Sequence, residues 1–223
     1  QGKIAFAELK LKSSDFYPTK VYKDLPTDPL SSLTSALAKM GENEGAVIQI
    51  IISPASKGWQ SSGKSYISKT KKAEADPESA KYNVDPKNFE QIENKCSKPG
   101  FEVNIKIVVS SPTKESAKGN LDNIAGTFSQ FASSLNSLTS KKYWFKKAFM
   151  INFIYRYKSV FGPKNVLSSE ELATIFHLPN KSIETPHIYW LAAKTAPAPA
   201  KIPKSGLYLG KSVYRGITRP VFI

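Results

Sequence analysis

Among 223 residues the chain has one cysteine, Cys96, and two histidines, His177 and His187. A lone cysteine excludes an intramolecular disulfide and suits a reducing compartment. The histidines stand ten residues apart with no Cys or carboxylate cluster beside them, so they do not supply the ligands of a zinc site. No metal or cofactor is expected. Cys96 falls on the apolar stripe of an expected helix, where thiols are usually inert. His177, at a helix end before Leu178 and Pro179, reads as a capping or packing residue. Long apolar runs are also missing: none approaches the ~20 residues that span a bilayer, and no signal peptide is visible.

Acids are scarce in one place. From Leu138 onward 14 Lys and Arg face three acids, Glu170, Glu171 and Glu184, a surplus of 11 out of a total of +14, which leaves +3 for the first 137 residues. Such asymmetry points to an acidic surface nearby, whether nucleic acid, anionic lipid or protein. The sequence starts at Gln1 without a methionine and stops at Ile223 inside what reads as a strand, so a longer parent protein is expected.

What is present is organised around residues 101–110, FEVNIKIVVS. Phe101, Val103, Ile105, Ile107 and Val109 alternate with Glu102, Asn104, Lys106 and Val108, the period-two signature of a strand with one face in a core. Pro99 and Gly100 punctuate its start, Ser111 and Pro112 its end. Upstream, 3–12 and 45–53 read as further strands. Asp28-Pro29 and Asp85-Pro86 each open a helix with a capping residue and a proline at the first helical position. Residues 64–80 show no sustained apolar face and read as an exposed helix or an excursion.

Downstream, 116–138 places Leu121, Ile124, Phe128, Phe131, Leu135 and Leu138 on one helical stripe. Residues 141–157 begin as an edge strand and turn helical from Lys146. Ser168 and Glu171 form a capping-box pattern. Residues 195–203, TAPAPAKIP, read as an extended linker, and 207–223 resumes β character around a turn near Arg215 and Gly216.

This order predicts an α+β fold, a split β-α-β (ferredoxin-like) sandwich with a helical C-terminal extension and a terminal β-hairpin. Residues 1–140 are expected to form the α+β domain and 141–194 a basic, aromatic-rich, mainly helical extension. Residues 195–223 are expected to form the Ala/Pro linker and hairpin.

Two motifs bear on chemistry. Residues 58–65, with Gly58, Gly63, Lys64 and Ser65, match GxxxxGK[ST] letter for letter after a strand. A phosphate cradle needs a tight curl straight off the strand and open backbone N–H groups. Here Pro54, Ala55, Ser56 and Lys57 intervene and bulky Trp59 follows the first glycine, so the motif reads as a decoy, a polar loop leaving a strand. The second motif is the basic set Lys141, Lys142, Lys146, Lys147, Arg156 and Lys158, interleaved with Tyr143, Trp144, Phe145, Phe149, Phe153 and Tyr155. That composition serves single strands or phosphates. It equally fits aromatics in a core with lysines solvating the outer face, and helical spacing of Phe145, Phe149 and Phe153 favours the core.

Three pieces of the chain share a resemblance: the run LSSEELATIFHLP at 167–179 followed by Thr185, Pro186, Trp190 and Leu191; Leu209-Gly210 through Tyr214-Arg215-Gly216 to Arg219-Pro220-Val221; and Lys98-Pro99-Gly100-Phe101-Glu102-Val103. With the Ala/Pro linker they resemble the segment just ahead of the motor in conjugation-type ATPases of type IV secretion systems, which are similar to the HerA-like and FtsK-like DNA-translocating motors. The resemblance implies that the phosphate loop lies beyond Ile223 and that no catalytic residue belongs to this chain.

The expected function is accordingly a non-catalytic N-terminal assembly domain of such an ATPase, involved in DNA or protein transfer. It would sit in the cytoplasm at the inner face of the membrane. Expected partners are its own motor domain, further copies of itself and secretion-channel proteins, with DNA or an anionic membrane surface as further candidates. The alternatives are a basic nucleic-acid-binding module and a small NTPase using Gly58 to Ser65.

Overall fold

The structure, a computed structural model, describes residues 2–74, 85–141, 145–158, 165–179, 203, 205–214 and 216–222. Lys142, Tyr143, Trp144, Thr185, Pro186, His187, Trp190, Leu191, Arg215 and linker residues 195–202 lie outside the described residues. The chain divides into two units, Gln1–His187 and Ile188–Ile223.

In the first unit β1 (Lys3–Leu11), β2 (Gly45–Pro54), β3 (Gly100–Ser111) and β4 (Leu138–Lys141) form an antiparallel sheet in the order β2-β3-β1-β4. Since β1 and β2 are both antiparallel to β3, they run the same way, with β3 between them and α1 (Pro29–Ala38) making the crossover. β3 and β4 flank β1 in the same manner, joined through α4 (Lys114–Thr127). Two split β-α-β units interleave, as the element order predicts.

The helix starts follow local chemistry. Asp28 Oδ1 accepts the Leu30 N–H at 2.9 Å and Asp85 Oδ1 the Lys87 N–H at 2.9 Å, capping α1 and α3 (Pro86–Cys96). Both helices carry proline in their first turn. Ser168 and Glu171 close a reciprocal capping box on α6 (Ser169–Ile175).

The main core lies on the face of the sheet that carries the odd-numbered residues of β1 and β3. Leu9, Val103, Ile105, Ile107 and Val109 pack there against Leu121, Ile124 and Phe128, with Leu33 and Leu37 of α1 alongside. A second cluster joins Trp59, Ile67, Phe89, Ile92, Cys96 and Val166.

Three sequence expectations are corrected. The helical stripe expected to reach Leu138 ends with α4 at Thr127, and a 3-10 turn, Phe128–Phe131, carries both phenylalanines into the core. The Ser133 hydroxyl then takes the N–H groups of Leu135 and Asn136, a local bonding pattern that competes with helix. Leu138 instead opens β4, so the edge strand ends at Lys141 rather than beginning there.

Second, residues 58–65 are not a loop: helix α2 (Gly58–Glu74) begins at Gly58. Burial of Trp59 and Ile67 against α3 overrides the polar composition of the segment. Third, the stretch read as a helical extension supplies β5 (Asn165–Ser168), which pairs antiparallel with the first residues of β3. Leu167 of β5 and Ile175 of α6 belong to the main core.

Asn165 makes that addition possible. Its Oδ1 accepts the Leu11 N–H at 2.8 Å, while its amide donates to Leu9 O at 2.9 Å and Val103 O at 3.2 Å. One side chain thereby satisfies the backbone of β1 and β3 where they part and β5 enters.

The second unit contains a hairpin, as expected. β6 (Tyr208–Tyr214) pairs antiparallel with β7 (Ile217–Phe222), and Gly216 supplies the positive φ of +79° in the two-residue turn.

Candidate anionic-partner interface

The even-numbered side of β3 was expected to be the exposed side of the alternation, but Asn104 and Lys106 are buried on it. Directly opposed residues in a ladder share a face. Lys141 on β4, Glu8 on β1, Lys106 on β3 and Gln49 on β2 therefore stand in one row across the sheet. Glu8 and Lys106 are both 0 % exposed. The Asn104 amide donates to the Glu8 carboxylate beside this pair. Burial pushes the Lys106 ammonium below its ordinary pKa, and the Glu8 charge opposes that shift.

This row holds down α5 (Lys146–Ile154). Gln49 Nε2 donates to Phe153 O at 3.0 Å and Lys106 Nζ to Tyr157 O at 2.6 Å, so two polar side chains of the sheet take carbonyls at and beyond the helix C-terminus. The helix ends in a Schellman turn: Tyr157 N–H reaches Asn152 O at 2.8 Å and Arg156 N–H reaches Phe153 O at 3.3 Å. Arg156 occupies the left-handed position usually given to glycine, at φ +57°. On the inner face Phe149, 0 % exposed, stacks on Phe6 with ring centroids 4.4 Å apart.

The outer face is apolar as well. Phe145, Ile151, Ile154, Tyr155 and Tyr157 are 75, 51, 64, 64 and 57 % exposed. Lys146 and Lys147 lie exposed in the first turn, and Arg156 and Lys158 are exposed beyond the last. The sequence carries no acid between Asp122 and Glu170.

The expected basic cluster is thus divided by role. Lys141 is half-buried opposite Glu8, Lys158 pairs with Glu102 and donates to Ser53 Oγ at 2.7 Å, and Lys142 falls outside the described residues. Among the described residues, Lys146, Lys147 and Arg156 make no ion pair. The interleaved aromatics divide too: Phe149 is core, whereas Phe145 and Tyr155 face outward. Sequence reasoning missed Glu8 and Lys106. Alternation alone put them on an exposed face, and only recognition of α5 as apolar on both sides could have shown that a second layer covers them.

The Gly58 to Ser65 motif has packing duties. A Cβ on Gly63 would stand 2.5 Å from Cys96 Sγ and 3.0 Å from Phe16 Cβ, so the absent side chain is what lets α2 approach α3. Trp59 fills the space where a Cβ on Gly100 would lie, 2.6 Å from the indole. Lys64 and Ser65 are exposed within the helix, whose amides serve its own hydrogen-bond ladder rather than a phosphate.

Cys96 is buried, and burial raises its thiol pKa, the environment of an inert cysteine. His177 has Nδ1 3.1 Å from Ala173 O and Nε2 3.0 Å from Asp28 Oδ1, so it closes α6 and ties it to the cap of α1. Among the described residues no three His, Cys, Asp or Glu are grouped to hold a metal ion, and no helix is long and apolar enough to cross a membrane.

Residues 1–191 match the family described as a domain of unknown function, DUF8128, and the chain belongs to that family. No curated protein matches the chain.

Proposed function

We propose that the chain is a non-catalytic assembly domain of a conjugation or type IV secretion ATPase. It works at the inner face of a membrane, joining its own motor domain and further copies of itself to channel proteins. The observation that carries this reading is α5, a helix held on the sheet by Gln49, Lys106 and Phe6 that leaves apolar side chains facing outward beside Lys146, Lys147 and Arg156, cations without an ion pair among the described residues. An exposed apolar surface of that kind marks a site of contact.

The segments that resemble the pre-motor region lend support by their placement. Gly100 and Phe101 pair with Ser168 and Leu167, Ser169 N–H donates to Pro99 O at 2.9 Å, and Lys98 forms an ion pair with Glu170. Two stretches some seventy residues apart in sequence thus make one structural unit. DNA is the alternative partner for Lys146 and Lys147. Ile151 and Ile154, lying between the two basic ends, give it no support because they offer nothing to phosphates or base edges.

ATP hydrolysis by the purified chain and its Lys64→Ala variant tests the reading. No Lys64-dependent hydrolysis is expected, and hydrolysis abolished by that substitution would overturn it. The expected genetic counterpart is a strand followed by GxxxxGK[ST] encoded beyond Ile223.

A further inference from the structure

The outward side of α5 has a specific composition. Successive positions turn by about 100°, so with Phe149 facing the sheet, the face opposite it carries Lys147, Ala148, Ile151, Ile154 and Tyr155. Phe145 is exposed at the N-cap, and Tyr157 extends this surface at the other end, where its ring stacks on Tyr155 at 5.7 Å. Aliphatic side chains occupy the middle, aromatics the ends, and Lys146, Lys147 and Arg156 the border. Rolling the helix to bury this face would break the Phe149–Phe6 stack and the bonds from Gln49 and Lys106 to the C-terminal carbonyls.

We propose that this face is a lipid contact: the 145–157 surface lies in the headgroup region of an anionic bilayer, with Ile151 and Ile154 inserted below the phosphates and Lys146, Lys147 and Arg156 binding them. This rests on the assembly reading above and names the surface by which the domain meets the membrane. Charge selects this occupant. A stretch without acids, bordered by cations, complements anionic headgroups, and aliphatic side chains suit acyl chains where they would not suit nucleic acid. The Tyr155 and Tyr157 rings match the interfacial preference of tyrosine, and Phe145 suits the apolar side of an interfacial helix. Nine helical residues span only ~13 Å, so the helix lies along the surface and inserts on one side.

Co-sedimentation with vesicles tests the assignment, using phosphatidylcholine alone and phosphatidylcholine with one-third phosphatidylglycerol. The chain is expected to sediment with the anionic vesicles and not with the neutral ones. Ile151→Ser with Ile154→Ser is expected to weaken binding at least ~tenfold, since both side chains lose their burial among acyl chains. Lys146→Ser with Lys147→Ser is expected to weaken it ~tenfold or more, through loss of attraction to the anionic headgroups. All four positions are solvent-exposed, so the variants should melt as wild type does, which checks that they are folded.

Equal binding to neutral and anionic vesicles would overturn the proposal, as would absence of binding. An isoleucine pair that changes nothing while the lysine pair abolishes binding would also overturn it, by reducing the contact to surface adsorption. The lipid test and the ATPase test are independent. Lost vesicle binding without Lys64-dependent hydrolysis refutes the lipid contact and leaves the assembly reading standing, whereas such hydrolysis refutes that reading whatever the vesicles show.

Discussion

Lys95 and Glu171 meet as an ion pair 3.1 Å apart with side chains 2 and 1 % exposed, joining α3 to α6 in the interior. Lys95 also donates to Tyr17 O and Val166 O, both at 3.1 Å, and Glu171 accepts from Thr19 N–H at 2.7 Å and Ser168 N–H at 2.7 Å. The 17–19 segment, β5 and the cap of α6 therefore all bond to one of these two side chains.

Removing one partner leaves the other charged and enclosed. Glu171→Ala is expected to destabilise by about 3–5 kcal/mol, read as a lower urea midpoint. Lys95→Met combined with Glu171→Leu should recover only part of the loss, because the Thr19 and Ser168 N–H groups remain without an acceptor. Full recovery would show that those backbone bonds contribute little.

Gly63→Ala places a methyl group against Cys96 Sγ and Phe16. A cost of about 1–3 kcal/mol is expected from this overpacking. Adding Cys96→Ala should relieve part of it, and a double-mutant cycle on urea midpoints measures the coupling. A Gly63→Ala protein as stable as wild type would contradict the close approach of α2 to α3.

Glu44 links α4 to the turn before β2. Hydrogen bonds from the Ser116 hydroxyl, the Gly41 N–H at 2.9 Å and the Ser111 hydroxyl hold its carboxyl down at about 2. Its folded pKa lies below the ordinary carboxylate value of 4.5, so the stability it contributes is present above pH 4.5 and is lost as pH falls through about 2. Glu44→Gln should flatten the decline of the melting temperature across that window. An unchanged slope would remove Glu44 from the acid response.

Arg156 adopts a left-handed backbone at φ +57° where glycine is the usual residue. Arg156→Gly is expected to stabilise by about 1 kcal/mol, seen as slower hydrogen exchange at Tyr155 and Tyr157. A destabilised variant would show that the arginine side chain contributes more than its backbone strain costs.

Local chemistry was legible from residue order. Asp28-Pro29, Asp85-Pro86 and the Ser168–Glu171 box each act within three or four residues, so their helix starts could be read without knowing the fold. Alternation in β3 likewise marked its core side, because the pleat repeats every two residues wherever the strand lies. The Gly58 to Ser65 stretch misled for the opposite reason. Its composition suits a loop, but Trp59, Gly63 and Ile67 meet α3 and β3 only once the chain is folded.

By itself, then, the sequence determined the helix caps, the central strand, the interleaved α+β order, the closing hairpin and the concentration of positive charge after Leu138. Tertiary structure alone decided that Lys106 and Glu8 are buried, that Asn165 admits β5 beside β3, and that α5 is covered on one apolar face and bare on the other. The reason is range. Caps, turns and strand periodicity depend on neighbours a few residues away, whereas burial of a lysine or exposure of an isoleucine depends on which distant segment comes to lie across it.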